Sequence, residues 1–222
     1  MKLFVYCAGG FGREVYDTAK RANARSKRWE SIGFIDDFIA SDAVDFYGTQ
    51  SYRLPFVLQQ QALDSFEVVI ANGEPAHRQT LYDKLQLQAV RLGTVVDPSA
   101  IVSDTAALSP GLIVTPFCSI ASQARVGINV AINTKSIVGH DIVVGDHAVI
   151  SSMVNIGGAC TVGARTYIGM GAQIKDGLHI GSDVIIGMGS VVYSDLPDGV
   201  IALGNPARAV RANTEKRVFG KK

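Results

Sequence analysis

Two adjacent residues, His140 and Asp141, carry the clearest chemical potential in this 222-residue chain. Histidine ionises near pH ~6.5, so a neutral imidazole beside a carboxylate is a candidate general base. The other three histidines lack that setting. His77 falls on a polar helix face and is expected in solvent, His179 closes a repeat at the surface, and His147 is expected at an outward corner with no motif around it. Gly158 follows His140 by 18 residues and offers a bare backbone N–H. A base and an open amide on one corner are half of an acyl-transfer site. Ser152, Met170 and Met188 form a second ladder of spacing 18. Exposed methionines suit a groove for an apolar chain, or ordinary packing between subunits.

A second candidate lies near the start. Gly9-Gly10-Phe11-Gly12 follows an apolar run and opens a helical pattern, and Asp36-Asp37 comes some two dozen residues later. The layout suits phosphates at a helix N-terminus and a carboxylate on a ribose or base, although a tight β–α turn that binds nothing has the same appearance. The glycine spacing falls short of G-x-G-x-x-G, which disfavours an NAD-linked enzyme. Two neighbouring carboxylates repel phosphate, so Asp36 and Asp37 are assigned to sugar hydroxyls or base N–H groups.

The elements that must position these residues differ between the two halves. Of the 17 aromatics, 13 precede residue 96, whereas 13 of the 23 glycines lie between 96 and 197. From Val96 to Val192 every sixth residue is Val, Leu or Ile, over 17 hexads without an insertion. Glycine favours the second hexad position, and small or aliphatic residues, Cys118 and Cys160 among them, the fifth. Period six fits short strands joined by tight corners, with first and fifth residues inward. Three hexads per coil stack residues 18 apart at the ~4.8 Å strand spacing. The first half reads as α/β: strands over 3–8, 32–35 and 68–71, helices over 13–22 and 75–88, and a further strand near 90–96.

Composition excludes other classes. Lys and Arg total 21 against 20 Asp and Glu, a net charge of +1, which argues against nucleic-acid or membrane partners. No apolar run is long enough to span a membrane and no signal peptide is visible, so a cytoplasmic protein is expected. Three scattered cysteines suggest neither disulfides nor a zinc site, and no metal is expected. Lys216, Arg217, Lys221 and Lys222 read as a frayed, solvated tail.

Four segments carry a resemblance: Ala8-Gly9-Gly10-Phe11-Gly12-Arg13-Glu14, Gly33-Phe34-Ile35-Asp36-Asp37, Gly139-His140-Asp141 and Gly204-Asn205-Pro206-Ala207-Arg208. With the hexads, they make the chain similar to bacterial sugar O-/N-acyltransferases of the sialic-acid acetyltransferase type. The resemblance implies a Rossmann-like α/β sugar-nucleotide domain (1–94), a left-handed parallel β-helix (95–197) and a C-terminal extension over the coenzyme site (198–222). It further implies His140 as base, Asp141 as its orienter, and Gly158, Met170, Gly187, Met188, Asn205 and Pro206 as contacts for acetyl-CoA. Gly9, Gly10, Phe11, Gly12, Asp36 and Asp37 would bind the nucleotide-linked sugar. Some relatives carry histidine where this chain has Phe11, and some carry Glu where it has Asp141.

The expected activity is acetyl-CoA-dependent N-acetylation of a nucleotide-linked 4-amino-4,6-dideoxy sugar, by a homotrimer whose prisms form the coenzyme groove in pairs. O-acetylation of a sialic-acid-like sugar and a non-catalytic sugar-nucleotide-binding scaffold are the alternatives. A scaffold has no need of His140-Asp141 beside a bare glycine.

Overall fold

The computed structural model describes residues 1–219; Lys221 and Lys222 of the basic end lie outside the described residues. The first half contains β1 (Lys2–Tyr6), α1 (Gly10–Ser26), β2 (Ser31–Ile35), β3 (Ala43–Phe46), β4 (Thr49–Tyr52), α2 (Leu54–Gln60), β5 (Phe66–Ile70) and α3 (Pro75–Gln86). The sheet order is β3-β4-β2-β1-β5, with β1 parallel to β2 and β5. The three expected strands and two expected helices are present. The β3–β4 hairpin and α2 were not anticipated. The hairpin strands are short and half polar, and their turn is marked only by Tyr47 and Gly48, both at positive φ. The strand expected at 90–96 is corrected. Leu92 makes a single bridge to Val68, and Val95–Val96 already belongs to the second half.

That second half is a left-handed parallel β-helix of two-residue strands, β6 (Val95–Val96) to β22 (Val191–Val192). Each strand pairs with those 18 residues away, as Ser119↔Ile137 and Ile137↔Asn155 do. First and fifth hexad residues fill one continuous core, and Cys118 and Cys160 are both 1% exposed within it. The corners divide two tasks. Left-handed φ falls on the fourth position, at Gln123 (+57°), Lys135 (+62°) and Asp141 (+56°). The second-position glycine instead permits close stacking: a Cβ on Gly163 would lie 2.3 Å from the Ser182 nitrogen of the next coil.

Three faces result. The first holds the strands Ile101–Val102 through Val191–Val192, the second Ala107–Leu108 through His179–Ile180, and the third Val95–Val96 through Ile185–Ile186. The third face is lengthened by β23 (Val200–Gly204) and the antiparallel β24 (Ala207–Ala212). The first domain packs on this third face. Val95, Ile113, Ala131 and Val149 share a buried cluster with Val15, Tyr16 and Ala19 of α1 and Leu3 and Val5 of β1.

A buried arginine locks the two halves at the corner between the second and third faces. Arg78 on α3 is fully buried and faces only carbonyl oxygens. It donates to Ile70 O (2.6 Å), Asn72 O (3.0 Å), Asn129 O (2.7 and 2.9 Å) and Asn129 Oδ1 (2.7 Å). Burial pulls its pKa down to about 9. His147, expected at an open corner, is instead buried: α3 covers it, with Tyr82 5.1 Å from its ring and Asn129 Nδ2 3.1 Å from its Nδ1. The corner is outward with respect to the β-helix and interior with respect to the whole chain.

Two outcomes follow from this junction. Arg78→Ala leaves several buried acceptors without a donor, each costing about 1–3 kcal/mol, and calorimetry should record a Tm lowered by more than ~5 °C. Burial also holds the His147 pKa below its ordinary 6.5, with Arg78 and Arg165 acting in the same direction against Asp146 and Asp83. The unfolded chain therefore binds a proton that the folded chain refuses. This contribution is intact above about pH 7 and is lost as the pH falls from about 6.5 through the lowered folded-state value. His147→Gln should flatten that part of the stability profile in thermal melts across this range.

Candidate active site

His140 occupies the third hexad position at the corner where the first face turns into the second. Its backbone is fixed from both neighbouring coils: Asp141 N donates to Ser122 O (3.0 Å) and Ala159 N to His140 O (2.7 Å). Asp141 takes the left-handed position that Asp tolerates. Its Oδ2 lies 2.8 Å from His140 Nδ1, and both side chains are well exposed. With Nδ1–H donated to that carboxylate, Nε2 is left as the acceptor. The ring lies over Gly158, where a Cβ would come within 2.4 Å of Nε2. Glycine is therefore required at 158 for the ring to rest there. Among the described residues, no acceptor pairs with the Gly158 N–H. A shallow depression of about 430 Å³, lined by Gly157, Gln173, Asp176, Val191 and Tyr193 among others, continues up the first face from this corner.

The other residues assigned to acetyl-CoA gather on a different corner. Met170 and Met188 project where the third face turns into the first, 44% and 76% exposed. The β23–β24 hairpin folds against the same corner. Leu203 leans on Gly187, where a Cβ would meet it at 2.1 Å, and Gly204 N donates to Ser190 Oγ (3.2 Å). Asn205 and Pro206 form the exposed hairpin tip. Gly187, Met188, Asn205 and Pro206 thus come together with Met170 one coil away. Gly158 does not join them, because the first face lies between the two corners.

The first domain carries a cavity of about 430 Å³ at the carboxyl ends of β1, β2 and β5, where parallel sheets bind ligands. Asp36 and Asp37 line it. Asp36 accepts from Ala8 N (2.9 Å) and Phe38 N (3.0 Å). Asp37 departs from the free acceptor expected. It already takes hydrogen bonds from Lys84 Nζ (2.6 Å), Tyr6 Oη and Leu54 N (3.1 Å). Burial opposes its charge, but these donors outweigh burial and hold its carboxyl below the usual range.

The glycine turn also divides in role. A Cβ on Gly12 would lie 2.0 Å from Cys7 O, so Gly12 serves helix–strand packing, while Gly9 and Gly10 face open space. Phe11 packs against the interdomain cluster, and none of these four residues lines the cavity. Tyr6, Cys7, Asn72, Thr80 and Lys84 line it and were missed by sequence reasoning. His77, exposed as expected, stands at its rim with Nδ1 3.0 Å from Asn72 Nδ2. Cys7 and Asn72 closely follow strand ends, and 77, 80 and 84 share one helix face, so both signals were available.

The described residues contain no cluster of His, Cys, Asp or Glu able to hold a metal, and no helix long and apolar enough to cross a membrane.

Comparison with known proteins matches both halves. Residues 2–85 match the PglD N-terminal domain, and residues 159–194 the bacterial transferase hexapeptide (six repeats). The chain is 30% identical over 142 residues to GDP-perosamine N-acetyltransferase of Escherichia coli, an alignment covering 63% of this chain and 63% of that protein. Among solved structures, PerB from Caulobacter crescentus in complex with CoA and GDP-perosamine is 28% identical, with TM-score 0.84 over 94% of this chain and 97% of that one. The acetyltransferase domain of PglB from Neisseria gonorrhoeae, in complex with acetyl coenzyme A, is 26% identical, with TM-score 0.87 over 94% and 98%. WeeI from Acinetobacter baumannii is 29% identical, with TM-score 0.86 over 95% and 100%. The chain thus joins a PglD-type N-terminal domain to bacterial transferase hexapeptide repeats.

Proposed function

We propose that this protein is an acetyl-CoA-dependent N-acetyltransferase acting on the amino group of a nucleotide-linked amino-deoxy sugar, and that His140 is its general base. One observation carries the reading: the Asp141 carboxylate holds Nδ1 of the His140 ring, and the ring rests over Gly158 with Nε2 as its nearest atom. The sugar amine attacks the thioester carbonyl, and the proton it sheds goes to Nε2. Asp141 stabilises the imidazolium so formed, which then protonates the departing CoA thiolate. The unpaired Gly158 N–H is a donor for the developing oxyanion. Similarity to proteins that bind CoA and GDP-perosamine supports amine over hydroxyl acylation. Acetyl-CoA as donor also supports a cytoplasmic setting.

The working unit in this reading is a homotrimer. The first domain covers the third face, and in a three-sided prism the His140 corner lies opposite that face. A chain's sugar cavity is therefore turned away from its own base. A neighbouring prism removes the difficulty by setting its His140 corner against the methionine corner and substrate domain of the next copy. Exposed Met188, Leu203 and Val210 give that contact an apolar component.

General-base catalysis is worth about 10²–10⁴-fold, so His140→Ala should lower kcat by that order with KM values little changed. Asp141→Asn should cost less. Thiol release from acetyl-CoA with UDP-, GDP- and dTDP-linked amino sugars, and with free sialic acid, checks both variants and the acceptor. Near-normal turnover by folded His140→Ala would contradict the assignment. Asp36→Ala should raise the sugar-nucleotide KM and leave that for acetyl-CoA unchanged; the reverse would exchange the roles of the two domains.

A further inference from the structure

The basic end of the chain is not frayed over 213–219. It forms a strap from the last coil of the β-helix back to the first domain. Asn213 N donates to Gly199 O (2.7 Å) and its Nδ2 to Asp183 O (2.7 Å). Lys216 Nζ lies 3.3 Å from Asp183 Oδ2. The amides of Val218 and Phe219 donate to the Glu74 carboxylate at 2.9–3.1 Å. The Phe219 ring packs edge-on to Tyr167, with centroids 5.7 Å apart, and covers Gly73.

These anchors hold Arg217 in a cleft of about 690 Å³ between the strap and the first turns of α3. Asn72, His77 and Thr80 line both this cleft and the Asp36 cavity, so the two adjoin. Charge distinguishes them. The cavity contains Asp36, Asp37 and Lys84, and Lys84 is engaged by Asp37, which leaves the cavity unfavourable for phosphate. In the cleft, Lys216 is engaged by Asp183 and Glu74 by two amides. Arg217 has no hydrogen-bond or ion-pair partner among the described residues, and Glu215 is the charge that opposes it. Arg13 at the start of α1 lines neither space. A guanidinium fork is suited to two phosphate oxygens at once.

We infer that the strap is the anion-binding arm of the sugar-nucleotide site: the base and ribose occupy the Asp36 cavity, and Arg217 binds the diphosphate from the adjoining cleft. The inference rests on the first domain being the sugar-nucleotide site and adds a residue from the far end of the chain to it.

Calorimetric titration of UDP, GDP and dTDP, of the corresponding nucleosides and of acetyl-CoA tests it. For the diphosphate that the unmodified protein binds, Arg217→Ala should weaken affinity about tenfold or more, the loss of a charge-assisted hydrogen bond. Its nucleoside and acetyl-CoA should bind as before, with an unchanged Tm because Arg217 is exposed. Glu215→Gln should tighten the diphosphate, and Phe219→Ala, which loosens the strap, should reproduce the loss with Arg217 still present. Unchanged diphosphate affinity in Arg217→Ala, or an equal loss for the nucleoside, would overturn the inference. If the unmodified protein binds none of the diphosphates, the reading of the first domain fails and the strap proposal fails with it.

Discussion

Everything at the base corner depends on the unbroken coil of eighteen residues. Three hexads return the chain to the same edge of the prism, and each strand is bonded to its equivalents above and below. An inserted residue would rotate every later corner out of its stack. With none inserted, Gly158 lies against His140, and Asp141 falls on the left-handed corner position from which its carboxylate meets the ring. The β-helix thus holds the backbones of His140 and Asp141 on rigid coils rather than a loop, and the Asp141 carboxylate sets the ring.

The second constraint is Arg78. A guanidinium buried without a carboxylate is held by carbonyl oxygens from both halves of the chain, which commits the first domain to the third face and to the adjacent corner. The same group fixes the Asn72 carbonyl at the edge of the Asp36 cavity. Docking of the domains and shaping of the cavity are therefore one interaction. Its consequence is separation: in our reading the sugar cavity and the base of one chain are turned apart, and a second copy completes the site.

Much of this was legible in residue order because hexad periodicity maps directly onto space. The 17 apolar first positions, the buried Cys118 and Cys160, and the stacking of Gly158 on His140 all follow from counting. What could not be counted was contact between the halves. His147 looks solvated until α3 is laid across it, and Phe11 looks like a ligand contact until the interdomain cluster is seen. Asp37 reads as a free carboxylate because Lys84 and Tyr6, which engage it, are far away in the chain. Arg217 belongs to a cleft only because Glu74 and Gly73 receive the end of the chain. Periodic local order was visible in the sequence; long-range partnerships of single polar residues were not.

The central claim is that base and sugar cavity act from different copies of the chain. Subunit mixing tests it most directly. His140→Ala lacks the base and Asp36→Lys, with a cation in the cavity, lacks the sugar site; each alone should retain at most about a hundredth of the amino-sugar acetylation. Mixed at equal amounts under conditions that exchange subunits, the two should regain activity, with about a quarter of the sites intact if assembly is random. A mixture as inactive as its components, with mixed trimers demonstrated by mass, would contradict the account and place the whole site within one chain.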